Sequence, residues 1–247
     1  MGISIRRRAD RSGGSFRLWA SLVLGLAGLV VAGVLVAGSP LFHLRRTEVT
    51  GTGRLSERQI LRAAGLNSGT NVLFLSTTEV RDRLLADPWV ANASVEKTLP
   101  SSVVVRIRER APVAVIREVR GFALVASDGT TLAETGENPR LPQIVGIAPA
   151  EPGRRSDVVA PLAAVAGAMD ESLRGEIRVI ALDGDGMVEL ELRRGPRVRF
   201  GSPTDVEAKA GSLSGILRWA DSSQTRLSEI DVRAPDAPAA KSERQRR

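Results

Sequence analysis

One stretch constrains this chain before any other: Leu18 to Phe42 carries no charged side chain. A helix rises about 1.5 Å per residue, so roughly 20 apolar residues cross the ~30 Å hydrocarbon layer of a bilayer. A helix also bonds its own backbone amides, which lipid demands. Pro40 stands where such a helix would end. The flanks set its direction. Arg6, Arg7, Arg8, Arg11 and Arg17 precede the stretch against Asp10 alone, whereas Arg45, Arg46 and Glu48 follow it. Positive charge is retained on the cytoplasmic side, so the expectation is a cytoplasmic tail at 1–17, a single span at 18–42, and 43–247 outside. The alternative is a cleaved signal peptide, with an apolar core of about 7–15 residues and an A-x-A-like exit. Here the core is longer, and Ala37-Gly38-Ser39 runs straight into Pro40.

The net charge of +7 suggests nucleic acid until it is located. Residues 1–17 carry +4 and residues 241–247 carry +3, while residues 43–240 hold 26 basic and 26 acidic groups. The outer body is therefore neutral, and a basic binding face on it is excluded. No cysteine occurs, so disulfide and thiolate chemistry are unavailable. The body is long enough for one large or two small cores.

In chain order, 44–50 reads as a strand closed by Gly51-Thr52-Gly53. Ser56 and Gln59 have capping-box spacing ahead of Ile60, Leu61 and Ala64, and Gly65 suits a left-handed exit. Asn71–Leu75 is a short apolar piece. Ser76 and Glu79 repeat the capping spacing before Val80, Leu84 and Leu85, and Asp87-Pro88 ends that helix. Two strands follow, Trp89–Lys97 with Ala91, Ala93 and Val95 alternating, and Val103–Glu109 with Val103, Val105 and Ile107 on one face. The order β-α-α-β-β is a small α+β module.

This module resembles a POTRA domain, in particular that of the FtsQ/DivIB bacterial division proteins. The resemblance lies in Val49-Thr50-Gly51, in Pro88-Trp89-Val90-Ala91-Asn92-Ala93-Ser94-Val95, in Leu99-Pro100, and in Val105 through Glu109-Arg110-Ala111-Pro112-Val113-Ala114.

Beyond Pro112 the pattern turns mainly β. Val113–Val119 and Phe122–Ala126 read as strands, with a hairpin turn at Asp128-Gly129 before Thr131-Leu132. Residues 135–156 are a proline-rich loop holding a strand at Leu141–Ile147. A helix fits 157–173, strands fit 177–182, 187–192 and 198–200, a second helix fits 203–219, and Ile230–Arg233 is the last strand. The tail from 235 reads as disordered. Phe200-Gly201, Lys209 and Ile230-Asp231-Val232-Arg233 resemble the β domain of the same family. The expected organisation is thus tail, span, POTRA domain (43–111), β domain with two helices (112–234), and tail (235–247).

Catalytic and metal chemistry find little to work with. His43 is the single histidine, at the membrane exit, so neither a triad nor a histidine metal site can be assembled. Asp183-Gly184-Asp185-Gly186 mimics a calcium loop, but Met187 and Arg194 occupy positions that need oxygen ligands. Glu189 and Glu191 share a strand face with Arg193, Arg197 and Arg199 close by, which fits a charge-balanced surface. Small-residue spacings such as Gly28-x-x-x-Ala32 are compatible with helix pairing. The expectation is no enzyme, no cofactor and no metal.

A sheet edge remains, since its unpaired N–H and C=O groups can accept another chain as a strand. The resemblance implies such docking at the C-terminal strand, by FtsB- and FtsL-like chains. It implies a partner-binding segment of Ile230, Asp231, Val232, Arg233, Ala234, Pro235 and Asp236, with Arg233 beside a partner acid. It also implies a division scaffold in the cell membrane at the septum. The alternatives are a membrane-anchored cell-wall enzyme, which lacks an assembled nucleophile or acid pair, and a POTRA-bearing secretion component, which would need a long barrel.

Overall fold

The computed structural model describes residues 13–243, with side chains at Trp19 and from Ser21 onward. Most of the cytoplasmic tail expected at 1–17 and the end of the C-terminal tail therefore lie outside the described residues. Helix α1 runs Gly13–Ala37, about 37 Å at 1.5 Å per residue. A turn at Pro40–Phe42 follows it. Aliphatic side chains along it, from Leu22 to Val36, are exposed. Counting only the described residues, no helix is long and apolar enough to cross a membrane.

The first module has β1 (Arg46–Thr50), α2 (Glu57–Ala64), α3 (Thr77–Leu85), β2 (Val90–Thr98) and β3 (Ser102–Glu109), in sheet order β1-β3-β2. Strand β1 lies parallel to β3, and β2 antiparallel. Ser56 and Gln59 form the capping box, and Gly65 closes α2 at φ 70°. At α3, Ser76 accepts from the Glu79 amide, but the Glu79 carboxylate turns to Arg83 rather than closing a box. Ile60, Val80, Leu84, Val103 and Val105 fill the core. Each such aliphatic side chain contributes about 1.5–3 kcal/mol on burial. The alternation expected for β2 shifts, because the register slips between Val90 and Asn92. Val90 and Ala93 are buried as a result, and Ala91 is only half-buried. Gly51 must be glycine: its φ is +84°, and a Cβ there would stand 1.8 Å from the Ile107 carbonyl oxygen.

The second module is a nine-stranded mixed sheet. Its strands are β4 (Pro112–Glu118), β5 (Gly121–Ala126), β6 (Thr131–Thr135), β7 (Gln143–Ile144), β8 (Ile177–Leu182), β9 (Val188–Leu192), β10 (Arg197–Gly201), β11 (Leu227–Asp231) and β12 (Ala239–Ser242). They lie in the order β12-β11-β10-β9-β8-β7-β4-β5-β6. Helices α4 (Ala160–Ala168), α5 (Glu171–Glu176) and α6 (Val206–Ser222) complete it. The main core gathers Ile116, Ile144, Leu162, Val165, Ile180, Leu190, Phe200, Leu213 and Ile230, among others.

Several elements differ from the sequence expectation. The strand expected at 230–233 is β11, Leu227–Asp231, because its ladder with β10 starts earlier and the chain bends at Arg233, and the helix expected at 203–219 is α6, Val206–Ser222. The helix expected at 157–173 is two helices. Met169 turns to extended backbone at ψ 139°, and the Asp170 carboxylate caps α5 by accepting from the Leu173 amide at 2.8 Å. Strand β7 is shorter than 141–147, since Pro142 has no amide to donate and Gly146 turns the chain at φ +80°. The tail read as disordered contains β12, paired antiparallel to β11.

Two consecutive residues close the first module and join it to the second: Glu109 ties β3 to the loop after β1, and Arg110 reaches across to Asp128. Glu109 accepts from the amides of Gly53, Arg54 and Leu55 at 2.9, 2.7 and 3.0 Å. Burial opposes its charge, but these three donors and the Arg54 charge hold its carboxyl below the usual range. Arg110 donates to the Pro88 and Val90 carbonyls at 2.9 and 2.7 Å and pairs with Asp128 at 2.9 Å.

Candidate partner-docking edge

The C-terminal edge begins at β10. Its Val198 and Phe200 point into the core, and β11 lies parallel to it with Val198 opposite Ile230. Alternation then buries Ile230 and Val232 completely and turns Asp231 and Arg233 outward. The Val232 amide extends the ladder by donating to the Arg199 carbonyl at 3.0 Å.

Arg233 lies two residues beyond the end of β11, in the bend that follows, and its side chain folds back onto Asp231. Arg233 Nε donates to both Asp231 carboxylate oxygens at 3.0 Å, and a terminal guanidinium nitrogen reaches Oδ2 at 2.6 Å. The Arg233 hydrogen bond is the main reason that the Asp231 carboxyl lies below its usual range; burial opposes it, and the Arg199 charge adds to it. The same contact raises the Arg233 guanidinium further. The Arg233 stem lies over Gly201, whose φ is +78°; a Cβ at Gly201 would come 2.7 Å from Arg233 Cγ. Gly201 is therefore a seat for the arginine.

Beneath this seat Lys209 is buried, 2% exposed. Its ammonium donates to the Ser202 carbonyl at 2.8 Å and lies 5.4 Å from the Phe200 ring centroid. It fixes the start of the loop that follows Gly201.

After Arg233 the chain turns. Ala237 donates to the Ala234 carbonyl, and Ser212 Oγ on α6 donates to the Pro235 carbonyl at 2.9 Å. Both prolines, Pro235 and Pro238, sit in this connection and leave the ladder free of proline. Strand β12 then pairs Ala239 with Asp231, Ala240 with Ile230 and Lys241 with Glu229. Ser228 Oγ donates to the Lys241 carbonyl at 3.1 Å. All four β12 residues are exposed, and β12 is the end strand of its sheet.

The segment expected to dock a partner, 230–236, thus divides three ways. Ile230 and Val232 belong to the core, Asp231 and Arg233 form a surface ion pair, and Ala234–Asp236 make the turn. The outermost ladder belongs to Ala239–Ser242, which sequence reasoning missed. Lys241 among small residues is the only hint the sequence offers of a protected edge.

The other candidates have quiet roles. Asp183 accepts from the amides of Asp185 and Met187, both at 2.9 Å, which is a hairpin turn. Glu191 pairs with Arg178, and Glu189 lies opposite Arg199. His43 forms an isolated bridge with Asn71. Among the described residues no three His, Cys, Asp or Glu side chains are grouped so as to hold a metal.

Two family descriptions match in tandem: POTRA domain, FtsQ-type, over 42–110, and cell division protein FtsQ/DivIB, C-terminal, over 114–233. The chain belongs to the FtsQ/DivIB family. A cell division protein FtsQ of Mycobacteroides abscessus is 28% identical over 89% of this chain and 69% of its own length. That of Mycobacterium leprae is 30% identical over 91% of this chain, which spans 63% of the relative. That of Streptomyces coelicolor is 28% identical over 90% of this chain and 88% of its own length. The extracytoplasmic domain of DivIB from Geobacillus stearothermophilus is a weak likeness, with a TM-score of 0.34, 18% identity, and coverage of 45% of this chain and 92% of that one. Family membership makes this a cell division protein with a POTRA module and a β module.

Proposed function

We propose that the protein is a non-enzymatic, single-pass scaffold of the division septum that recruits other division proteins through its C-terminal sheet edge. The span would be Leu18–Phe42, with the N-terminus cytoplasmic. In support, the uncharged sequence continues through Leu18, Trp19 and Ala20 ahead of the exposed aliphatic run, and the basic flank lies on the N-terminal side. The first module then spaces the second from the membrane, and the Arg110–Asp128 joint orients it.

One observation carries the docking reading: the end strand β12 is fully exposed, in a chain of this family, directly beside the Arg233 ion pair. A partner strand of FtsB- or FtsL-like character would add to the outer side of β12. Arg233 would favour an acidic residue near that strand's end. Residues 230–236 then supply the anchor and its turn, and 239–242 supply the ladder. Arg233 keeps Asp231 as its resident partner, so an incoming carboxylate shares the guanidinium rather than meeting a bare charge.

Arg233→Glu places like charges beside Asp231 and removes the anchor. Co-purification of the partner complex should fall at least tenfold while circular dichroism stays that of the parent. Undiminished capture by the folded variant would remove Arg233 from the interface.

A further inference from the structure

Three segments gather round the end of α1. Asn71 Nδ2 donates to the Ala37 carbonyl at 2.8 Å, which satisfies an orphan acceptor of the last helical turn. Val72 donates to the Phe42 carbonyl at 2.8 Å and Leu44 to the Thr70 carbonyl at 2.9 Å, so the 70–72 loop is stitched to the chain leaving the helix. Lys97 donates to the Leu73 and Leu75 carbonyls at 3.1 and 2.9 Å, which ties that loop to the β2–β3 hairpin. The amides of Arg45 and Arg46 both reach the Ser101 carbonyl at the hairpin tip.

Each segment carries an apolar side chain with no core to enter. Phe74 is 70% exposed, and Leu41 and Leu99 are each 51% exposed. Arg45, Arg46 and Lys97 are exposed beside them.

We propose that this pole of the first module is a lipid seat: Phe74, Leu41 and Leu99 enter the headgroup–acyl boundary of the outer leaflet, and Arg45, Arg46 and Lys97 meet anionic headgroups. The proposal rests on α1 being the span. The occupant is lipid because Leu41 follows α1 directly, and the bonds from Asn71 to Ala37, Val72 to Phe42 and Arg45 to Ser101 hold the other two segments at the same helix end. Apolar side chains ringed by cations are also the chemistry of an interfacial anchor. Such a seat adds contacts around one helix and would hold the module upright rather than leave it to swivel on a single tether.

The chain lacks cysteine, so single sites can be labelled with an environment-sensitive dye. Full-length Phe74→Cys, Leu99→Cys, Val36→Cys (in α1) and Val119→Cys (fully exposed in the β4–β5 turn) are reconstituted in phosphatidylethanolamine–phosphatidylglycerol vesicles containing shallow nitroxide lipid. Dyes at 74 and 99 should be quenched about half as strongly as at 36 or more, with none at 119. Replacing phosphatidylglycerol by phosphatidylcholine should cut the signal at 74 about twofold. Phe74→Glu should reduce quenching at 99 similarly, which guards against a dye that drives its own insertion.

Quenching at 36 without any at 74 and 99 overturns the seat and leaves the span intact. No quenching at 36 overturns the span and the seat together. A dye at 74 shielded from aqueous iodide yet untouched by lipid nitroxide means a protein occupant, which also overturns the proposal.

Discussion

Truncating Arg110 to alanine removes three charge-assisted contacts at the joint between the modules. The guanidinium bonds the Pro88 and Val90 carbonyls at 2.9 and 2.7 Å and the Asp128 carboxylate at 2.9 Å, with its own side chain 19% exposed. Hydrogen bonds to a charged group contribute about 1.5–3 kcal/mol each. That range must be reduced here, because both carbonyls can rehydrate after truncation and Asp128 is 43% exposed. Allowing about 1 kcal/mol per contact gives a loss of about 3 kcal/mol, a large share of a domain stability of 5–15 kcal/mol. Arg110→Lys keeps the charge but not the fork, so about half the loss should remain. A double-mutant cycle with Asp128→Asn should return a coupling of about 1 kcal/mol. Urea unfolding of residues 43–247 supplies the assay. Trp89 reports on the joint, since the Arg110 amide donates to its carbonyl, and Trp219 on α6 reports on the second module. A loss below about 0.5 kcal/mol for Arg110→Ala would show that the joint is held by packing alone.

Other consequences follow from the same geometry. Gly201→Val should destabilise by about 1–3 kcal/mol, from a side chain at φ +78° and its clash with the Arg233 stem. It should also weaken partner capture, whereas Gly211→Ala, where a Cβ meets nothing within 4 Å, should do neither. Stability should be flat from pH 8 to about 5 and fall below about pH 4. Glu109, Asp128 and Asp231 have folded pKa values below their unfolded ones, so their contribution is present above the unfolded value and lost as pH drops through the folded one. Urea midpoints at pH 7, 5 and 3 check this, with Glu109→Gln showing a shallower acid limb; a drop already between pH 7 and 5 would contradict it.

The sequence was most legible where structure is local. Ser56, Gln59 and Gly65 bracket α2 as their spacing foretold, because capping involves amides within a turn of the cap. Val103, Val105 and Ile107 alternate as read, since pleating needs no distant partner. The missed features depend on contacts far along the chain. Asp170 could equally lie within a helix, and its capping of Leu173 emerges only when Leu173 must reach the core. Ala239–Ser242 has no buried face to impose a period of two; it is a strand because β11 offers a ladder and Ser212 fastens the preceding turn. Arg110 was visible as part of a family string, but its role required Pro88, Val90 and Asp128 to converge. At the candidate edge, the alternation that buries Ile230 and Val232 was legible, while the strand's true bounds, Leu227–Asp231, the pairing of Arg233 with Asp231 and its seat on Gly201 were not.

The claim that the C-terminal edge recruits the partner is tested most directly by photocrosslinking in dividing cells. Photoreactive residues are placed singly from 228 to 242, and along β6 at the opposite end of the sheet. The account predicts adducts with another division protein at 239–242 and around Arg233, and none along β6. Adducts confined to β6, or absent from the whole 228–242 segment in cells that are dividing, would contradict it.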